Sequence, residues 1–172
     1  MRLAVIGTRQ PSGNQKILAR RLVEMALKHN WEIATGGAEG IDQVAMQVCK
    51  EQGALDRLTV YLPWESYNQG IIPAGCEKVL FRGQKDWIDS LDLHPFPENL
   101  SQGAAKLHAR NYGIVANSDM VAAFPGENPG GTGQGMRVAQ ELGRKLYVYP
   151  PDSYELCQMI KKRLTGKKPV RR

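Results

Sequence analysis

Three glycine-containing segments of this 172-residue chain are suited to holding an anion: Gly7-Thr8-Arg9, Gly36-Gly37-Ala38-Glu39-Gly40-Ile41-Asp42 and Gly130-Gly131-Thr132-Gly133-Gln134-Gly135. Glycine lets the backbone come close to a ligand, and a helix starting after such a loop offers unpaired N–H groups to negative charge. One loop of this kind commonly serves only as a turn. Three that converge would define a phosphate or nucleotide site.

The side chains around these segments suit the same chemistry. Arg9 and Arg110 can grip a phosphate through paired hydrogen bonds, and Asn111 can read a ribose hydroxyl or a base edge. Arg9 also reads as a surface ion-pair residue. Asp42 would orient a ribose hydroxyl or Arg9, or simply cap the helix beginning beside it. Trp64 and Tyr67 either stack on a base or plug a small satellite core. None of the glycine segments is a complete nucleotide fingerprint. There is no G-x-x-x-x-G-K-S/T, which excludes P-loop hydrolysis, and the first loop lacks the G-x-G-x-x-G of a dinucleotide dehydrogenase.

The elements that must position these residues follow from hydrophobic periodicity. Short apolar runs at Leu3–Ile6, Trp31–Thr35, Leu58–Leu62, Met120–Phe124 and Leu146–Tyr149 read as buried strands, with Glu77–Arg82 as a small extra one. Apolar stripes at helical spacing follow Ser12, start near Gly40, span Ala104–Ala116 and run through Met136–Leu142. Pro125–Gly135 is expected to be a glycine-rich loop. A short helix is expected at Lys85–Leu91 and a terminal one at Tyr154–Leu164. The alternation predicts an α/β fold: a Rossmann-like three-layer sandwich with a mainly parallel sheet of about five or more strands. Four prolines (Pro63, Pro73, Pro95, Pro97) break the rhythm, predicting an irregular insertion around 63–102. In such a sheet ligands sit at the carboxyl ends of the strands, where the glycine segments fall.

Composition sets the outer limits. At 42% hydrophobic and 23% charged, the chain suits one globular domain, expected over residues 1–164 with a basic flexible tail at 165–172. The net charge of +6 is concentrated at the end. Seven basic residues and no acidic ones lie from Lys161 onward, leaving 16 Lys and Arg against 17 Asp and Glu elsewhere. The tail, with Lys167, Lys168, Arg171 and Arg172, reads equally as a set of phosphate contacts and as a solvated end. Cys49, Cys76 and Cys157 are odd in number and include no Cys-x-x-Cys pair, so neither a disulfide framework nor a metal site is expected, and no cofactor is implied. His29, His94 and His108 read as surface or satisfied histidines. No apolar run approaches the roughly 20 residues of a membrane span, and Met1-Arg2 leads into a strand without a signal-peptide pattern, so a soluble cytoplasmic protein is expected.

Ala4-Val-Ile-Gly-Thr-Arg9, Gly36-Gly-Ala-Glu-Gly-Ile-Asp42, Leu107-His-Ala-Arg-Asn111 and Gly130-Gly-Thr-Gly-Gln134 together resemble the successive signatures of the SLOG superfamily. That superfamily unites DprA (Smf) proteins, Lonely Guy phosphoribohydrolases and YspA-like proteins. The resemblance spans about residues 3 to 150. The Gly-Ala-x-Gly-Ile-Asp segment is its most DprA-like part, and the whole looks closest to short DprA-like proteins often encoded by phages. It implies nucleotide or single-stranded DNA as ligand, a role in DNA processing and recombination, a homodimer and a recombinase partner. DprA proteins usually carry a small helical domain or winged helix beside this one, and 172 residues leave room for neither.

Lonely Guy enzymes place a catalytic glutamate in Pro-Gly-Gly-x-Gly-Thr-x-x-Glu. Here Arg137 stands in its place, and a cation neither stabilises an oxocarbenium-like centre nor acts as a base. No serine lies in a nucleophile elbow and no triad is visible. The first expectation is therefore a non-catalytic binding protein for nucleotide phosphates. The rival is a small-nucleotide hydrolase using Glu39, Asp42 or Glu127.

Overall fold

The computed structural model describes residues 1–80, 92–94 and 96–149. The helices expected at Lys85–Leu91 and Tyr154–Leu164, and the basic tail, lie outside the described residues. The described elements run β1 (Arg2–Gly7), α1 (Gly13–Lys28), β2 (Glu32–Thr35), α2 (Ile41–Glu51), β3 (Leu58–Leu62), β4 (Glu77–Leu80), α3 (Gln102–Ala116), β5 (Met120–Phe124), α4 (Gly130–Glu141) and β6 (Lys145–Val148). The strands form one six-stranded sheet in the order β4-β3-β2-β1-β5-β6, and every pairing is parallel. The Rossmann-like α/β expectation holds.

The period-2 alternation of strand side chains explains the layering. Along β1, Leu3 and Val5 enter the core beneath α1 and α2, while Ala4 and Ile6 face the core beneath α3 and α4. Along β5, Met120, Ala122 and Phe124 join the first core, and Val121 and Ala123 the second. Both faces of the central strands are buried, which is why they read as continuous apolar runs. Each fully buried Leu, Ile or Phe contributes roughly 1.5–3 kcal/mol, so the sheet and its helices hold together without help from the surface.

Two local sequences set the geometry around the later site. Ser12 caps α1: its hydroxyl accepts from Gln15 N (3.2 Å), and Gln15 Oε1 accepts from Ser12 N (3.0 Å), a reciprocal capping box. The expected Pro125–Gly135 loop is shorter than predicted, because α4 begins at Gly130. Helix propensity argues against four glycines in the first two turns, but packing overrides it. A Cβ on Gly135 would lie 2.6 Å from Ile6 Cδ1, so the glycine lets α4 lie close on β1 with the Ile6 side chain undisplaced.

The chain moves outward from β1 through β2, β3 and β4, then returns to lay β5 on the other side of β1. The sheet therefore has a topological switch point between β1 and β5, and a crevice opens beyond their carboxyl ends. No helix among the described residues is long and apolar enough to cross a membrane.

Candidate phosphate-binding cleft

A cleft of about 910 Å³ occupies the switch point. One wall is the β1–α1 loop with the first turn of α1. The other comprises the β5–α4 loop, the first turn of α4, and an α3 stripe of Ala104, Leu107, His108 and Asn111 at helical spacing.

The β1–α1 loop is fixed by backbone bonds. Thr8 N donates to Phe124 O (2.8 Å), extending the β1–β5 ladder, and Thr8 O accepts from Ile41 N (3.2 Å). Gln10 N donates to Thr8 Oγ1 (3.2 Å), closing a turn that leaves Arg9 exposed at the mouth of the cleft. Arg9 has no hydrogen bond or ion pair to the described residues. Gly40 makes this arrangement sterically feasible. Its φ is +80°, and a Cβ there would fall 2.3 Å from Thr8 O, a backbone atom that cannot yield cheaply. Across the cleft, Gln15 Nε2 donates to Pro125 O (2.9 Å), tying α1 to the β5–α4 loop.

At the start of α4 the first backbone bond runs from Gly133 N to Pro129 O (2.9 Å). The N–H groups of Gly130, Gly131 and Thr132 therefore lack intrahelical acceptors, and these residues line the cleft. With the partial positive charge of the helix end, they form an anion-attracting pole.

The floor is a buried hydrogen-bonded chain. Arg110 Nη1 donates to Gly36 O, and Nη2 donates to Asn111 Oδ1 (3.0 Å), whose Nδ2 donates to Gly131 O (3.0 Å). Asp42 Oδ2 accepts from Gly36 N and Ala38 N, both at 3.2 Å. The Arg110 guanidinium also lies 5.5 Å from the Tyr67 ring centroid. Arg110 is 8% exposed and Asp42 5%, so each is chiefly a brace. Burial pushes the Asp42 carboxyl above its ordinary range, while the Arg110 charge and the Ala38 and Gly36 N–H groups pull it back down.

Of the residues singled out in the sequence, Gly7, Thr8, Arg9, Asp42, Arg110, Asn111, Gly130, Gly131 and Thr132 line this cleft. Gly36, Gly37, Gly40, Gly133 and Gln134 do not. Gly36 and Gly37 are buried behind the floor, where a Cβ on Gly36 would press on the Arg110 guanidinium at 2.7 Å. Because α4 starts early, Gly133 and Gln134 lie within its buried turns. Gln134 is 0% exposed, and its Oε1 accepts from Arg137 Nη2 (2.7 Å). Arg137 also donates through Nε to Leu93 O (3.3 Å) and stays outside the cleft. Trp64 and Tyr67 pack edge to face at 5.2 Å and join the core beneath α1 and α2, so they plug a satellite core.

His108 and Tyr149 are cleft residues that sequence reasoning missed. His108 sits within the quoted Leu107–Asn111 motif, and Tyr149 ends the apolar run of β6, a position at the sheet's carboxyl edge that marks it as a lining residue. The His108 ring lies 4.8 Å from that of His94, and its Nδ1 is buried without a partner. Burial lowers its pKa to about 4, with the His94, Arg137 and Arg110 charges acting in the same direction. The unfolded chain, with an ordinary histidine pKa of about 6.5, then binds the extra proton first as pH falls. This group's contribution leaves stability unchanged above about 6.5, lowers it as pH falls from 6.5 to 4, and is constant below. Denaturant unfolding at pH 7 and pH 5 should show a smaller loss of stability for His108→Gln than for the wild type; equal losses would assign the acid sensitivity to other groups.

The parallel sheet, switch-point crevice and helix-end N–H groups define a Rossmann-like α/β protein with an anion-attracting helix end at its cleft. The chain belongs to the DNA recombination-mediator protein A family, whose model matches residues 1–166. No curated protein matches it closely. Among solved structures it is similar to DNA processing protein A from Helicobacter pylori, described for its single-stranded DNA binding mode (TM-score 0.67, 20% identity, covering 96% of this chain and 79% of that one). The Streptococcus pneumoniae DNA processing protein A gives a TM-score of 0.56 at 17% identity, covering 98% of this chain and 58% of that chain. The molybdenum cofactor carrier protein of Chlamydomonas reinhardtii shares the fold too (TM-score 0.61, 18% identity, covering 96% and 98%).

Proposed function

We propose that this chain binds the phosphates of single-stranded DNA at the switch-point cleft and acts in DNA processing as a binding protein. The observation that carries this reading is the juxtaposition of exposed Arg9, unpaired among the described residues, with the N–H groups of Gly130–Thr132 that have no intrahelical acceptor, across one cleft. Family membership and the single-stranded DNA described for the Helicobacter pylori relative support the choice of ligand. Phosphate contacts of this kind carry no base code, so binding is sequence-tolerant.

We further propose that residues 165–172 form a tail apart from the domain and add phosphate contacts through Lys167, Lys168, Arg171 and Arg172. Each contact contributes roughly 0.7 to the slope of log K against log salt on a single strand. Deleting Gly166–Arg172 should therefore flatten the slope for a long oligothymidylate by about one to nearly three, with little change in mononucleotide affinity. Fluorescence anisotropy across a salt series checks it; parallel lines would make the tail a solvated end. From the family we also propose a homodimer and a recombinase partner, tested by light scattering with and without oligonucleotide and by co-purification.

A second reading, a free mononucleotide as ligand, is favoured by one observation. The cleft volume falls within the roughly 300–1,000 Å³ range of small-molecule sites, and Arg9 is its one exposed cation among the described residues. Native mass spectrometry of the purified protein separates the two: a co-purifying oligonucleotide supports the first, and a single nucleotide the second. Hydrolysis of such a nucleotide would fall to Glu127, because Asp42 is committed to Gly36 and Ala38 and Glu39 does not line the cleft.

A further inference from the structure

We infer that Tyr149 is the platform on which this cleft seats a nucleobase, so that its ligand is recognised as a base-bearing nucleotide and not as a sugar phosphate alone. The inference rests on the reading of the cleft as a phosphate site and adds the second half of the ligand. A nucleotide has an anionic end and a flat π face. The first turn of α4 supplies donors for the anion, and Tyr149 lines the same cleft with an aromatic ring.

That ring is held in place before any ligand arrives. Tyr149 N donates to Ala123 O (2.9 Å), extending the β5–β6 ladder by one residue and fixing where the side chain leaves the sheet. Behind it lies Phe124, 1% exposed, with ring centroids 6.1 Å apart and planes 25° from parallel. Phe124 thus packs against the tyrosine within the sheet's core, while Tyr149, half-buried, lines the cleft. A preorganised ring loses little rotamer freedom when a base stacks on it, which is where flexible side chains lose affinity. The Tyr149 hydroxyl has no hydrogen bond to the described residues, so the ring's position does not depend on it. Every base has a π face, so this contact is sequence-tolerant, in keeping with a protein that binds through phosphates.

The test compares adenosine 5′-monophosphate with ribose 5-phosphate by isothermal titration, using wild type, Tyr149→Phe and Tyr149→Leu. Stacking on an aromatic side chain corresponds to roughly 5-fold to 150-fold in affinity. Wild type and Tyr149→Phe should prefer the nucleotide by a factor in that range. Tyr149→Leu, which keeps most of the volume against Phe124, should bind the two ligands alike, at the wild-type affinity for ribose 5-phosphate. A thermal melt confirms that the leucine variant is folded. A preference that survives in Tyr149→Leu, or disappears in Tyr149→Phe, overturns the inference. If wild type binds both ligands equally, Tyr149 is not a platform but the phosphate reading stands. If wild type binds neither small ligand but binds an oligothymidylate, this inference falls and the phosphate reading stands; if it binds none of the three, both fall.

Discussion

Arg110→Ala should lower the free energy of unfolding by about 1.5–3 kcal/mol, the range expected when buried hydrogen bonds from a charged group are lost. The guanidinium holds Gly36 O and Asn111 Oδ1, and through Asn111 it reaches the first turn of α4. Its loss leaves the buried Asp42 carboxyl without its nearest cation and the Gly36 loop without a donor. Urea denaturation measures the effect. Arg110→Lys should recover part of it, because a lysine keeps the charge but cannot fork between two acceptors. A variant as stable as the wild type would show that the brace is dispensable. The sequence pattern alone points to Arg110 as a phosphate ligand whose removal spares the fold. In the structure Arg110 lines the cleft, and both of its terminal nitrogens already have protein partners.

Arg9→Ala should have the opposite profile. Arg9 is exposed and has no partner among the described residues, so its removal should change stability by less than about 0.5 kcal/mol. Losing one charge-assisted phosphate contact should weaken single-stranded DNA binding by about 1.5–3 kcal/mol, roughly 10-fold to 150-fold. Anisotropy titrations with a labelled oligothymidylate and a parallel unfolding curve read both quantities. Superimposable binding curves would assign Arg9 to something other than the ligand. The two arginines differ in what they carry: Arg110 on α3 carries stability, and Arg9 in the β1–α1 loop carries binding.

The legible and illegible parts of the molecule divide along physical lines. Strand positions were readable because both faces of the central strands are buried, so Leu3–Ile6 and Met120–Phe124 stand out as unbroken apolar runs. The carboxyl-edge placement of the glycine loops followed from that. The start of α4 was not readable, because glycine opposes helix locally and the packing of the helix onto β1 and the second core, through Gly135, Val138 and Ala139, is not visible in sequence. The roles of Asp42 and Arg110 were hidden for a related reason. A motif gives residue types and spacing, whereas facing a ligand or bracing a loop depends on burial contributed by α3 and β2, far apart in the chain. Trp64 and Tyr67 read either as base platforms or as plugs of a small core, and they pack in the core, whereas the aromatic residue that lines the cleft is Tyr149, inside an apolar run that reads as ordinary strand.

The central claim is that one anion pole, at the first turn of α4 and the β1–α1 loop, holds the DNA phosphates. The most direct measurement is a ¹H–¹⁵N chemical-shift titration of the full chain with a short oligothymidylate. The account predicts the largest shifts at the backbone amides of Thr8, Arg9, Gly130, Gly131 and Thr132, with Asn30, Trp31 and Asp119 at the opposite edge of the sheet unmoved. Shifts centred on that opposite edge, or still cleft amides at saturating DNA, would contradict it.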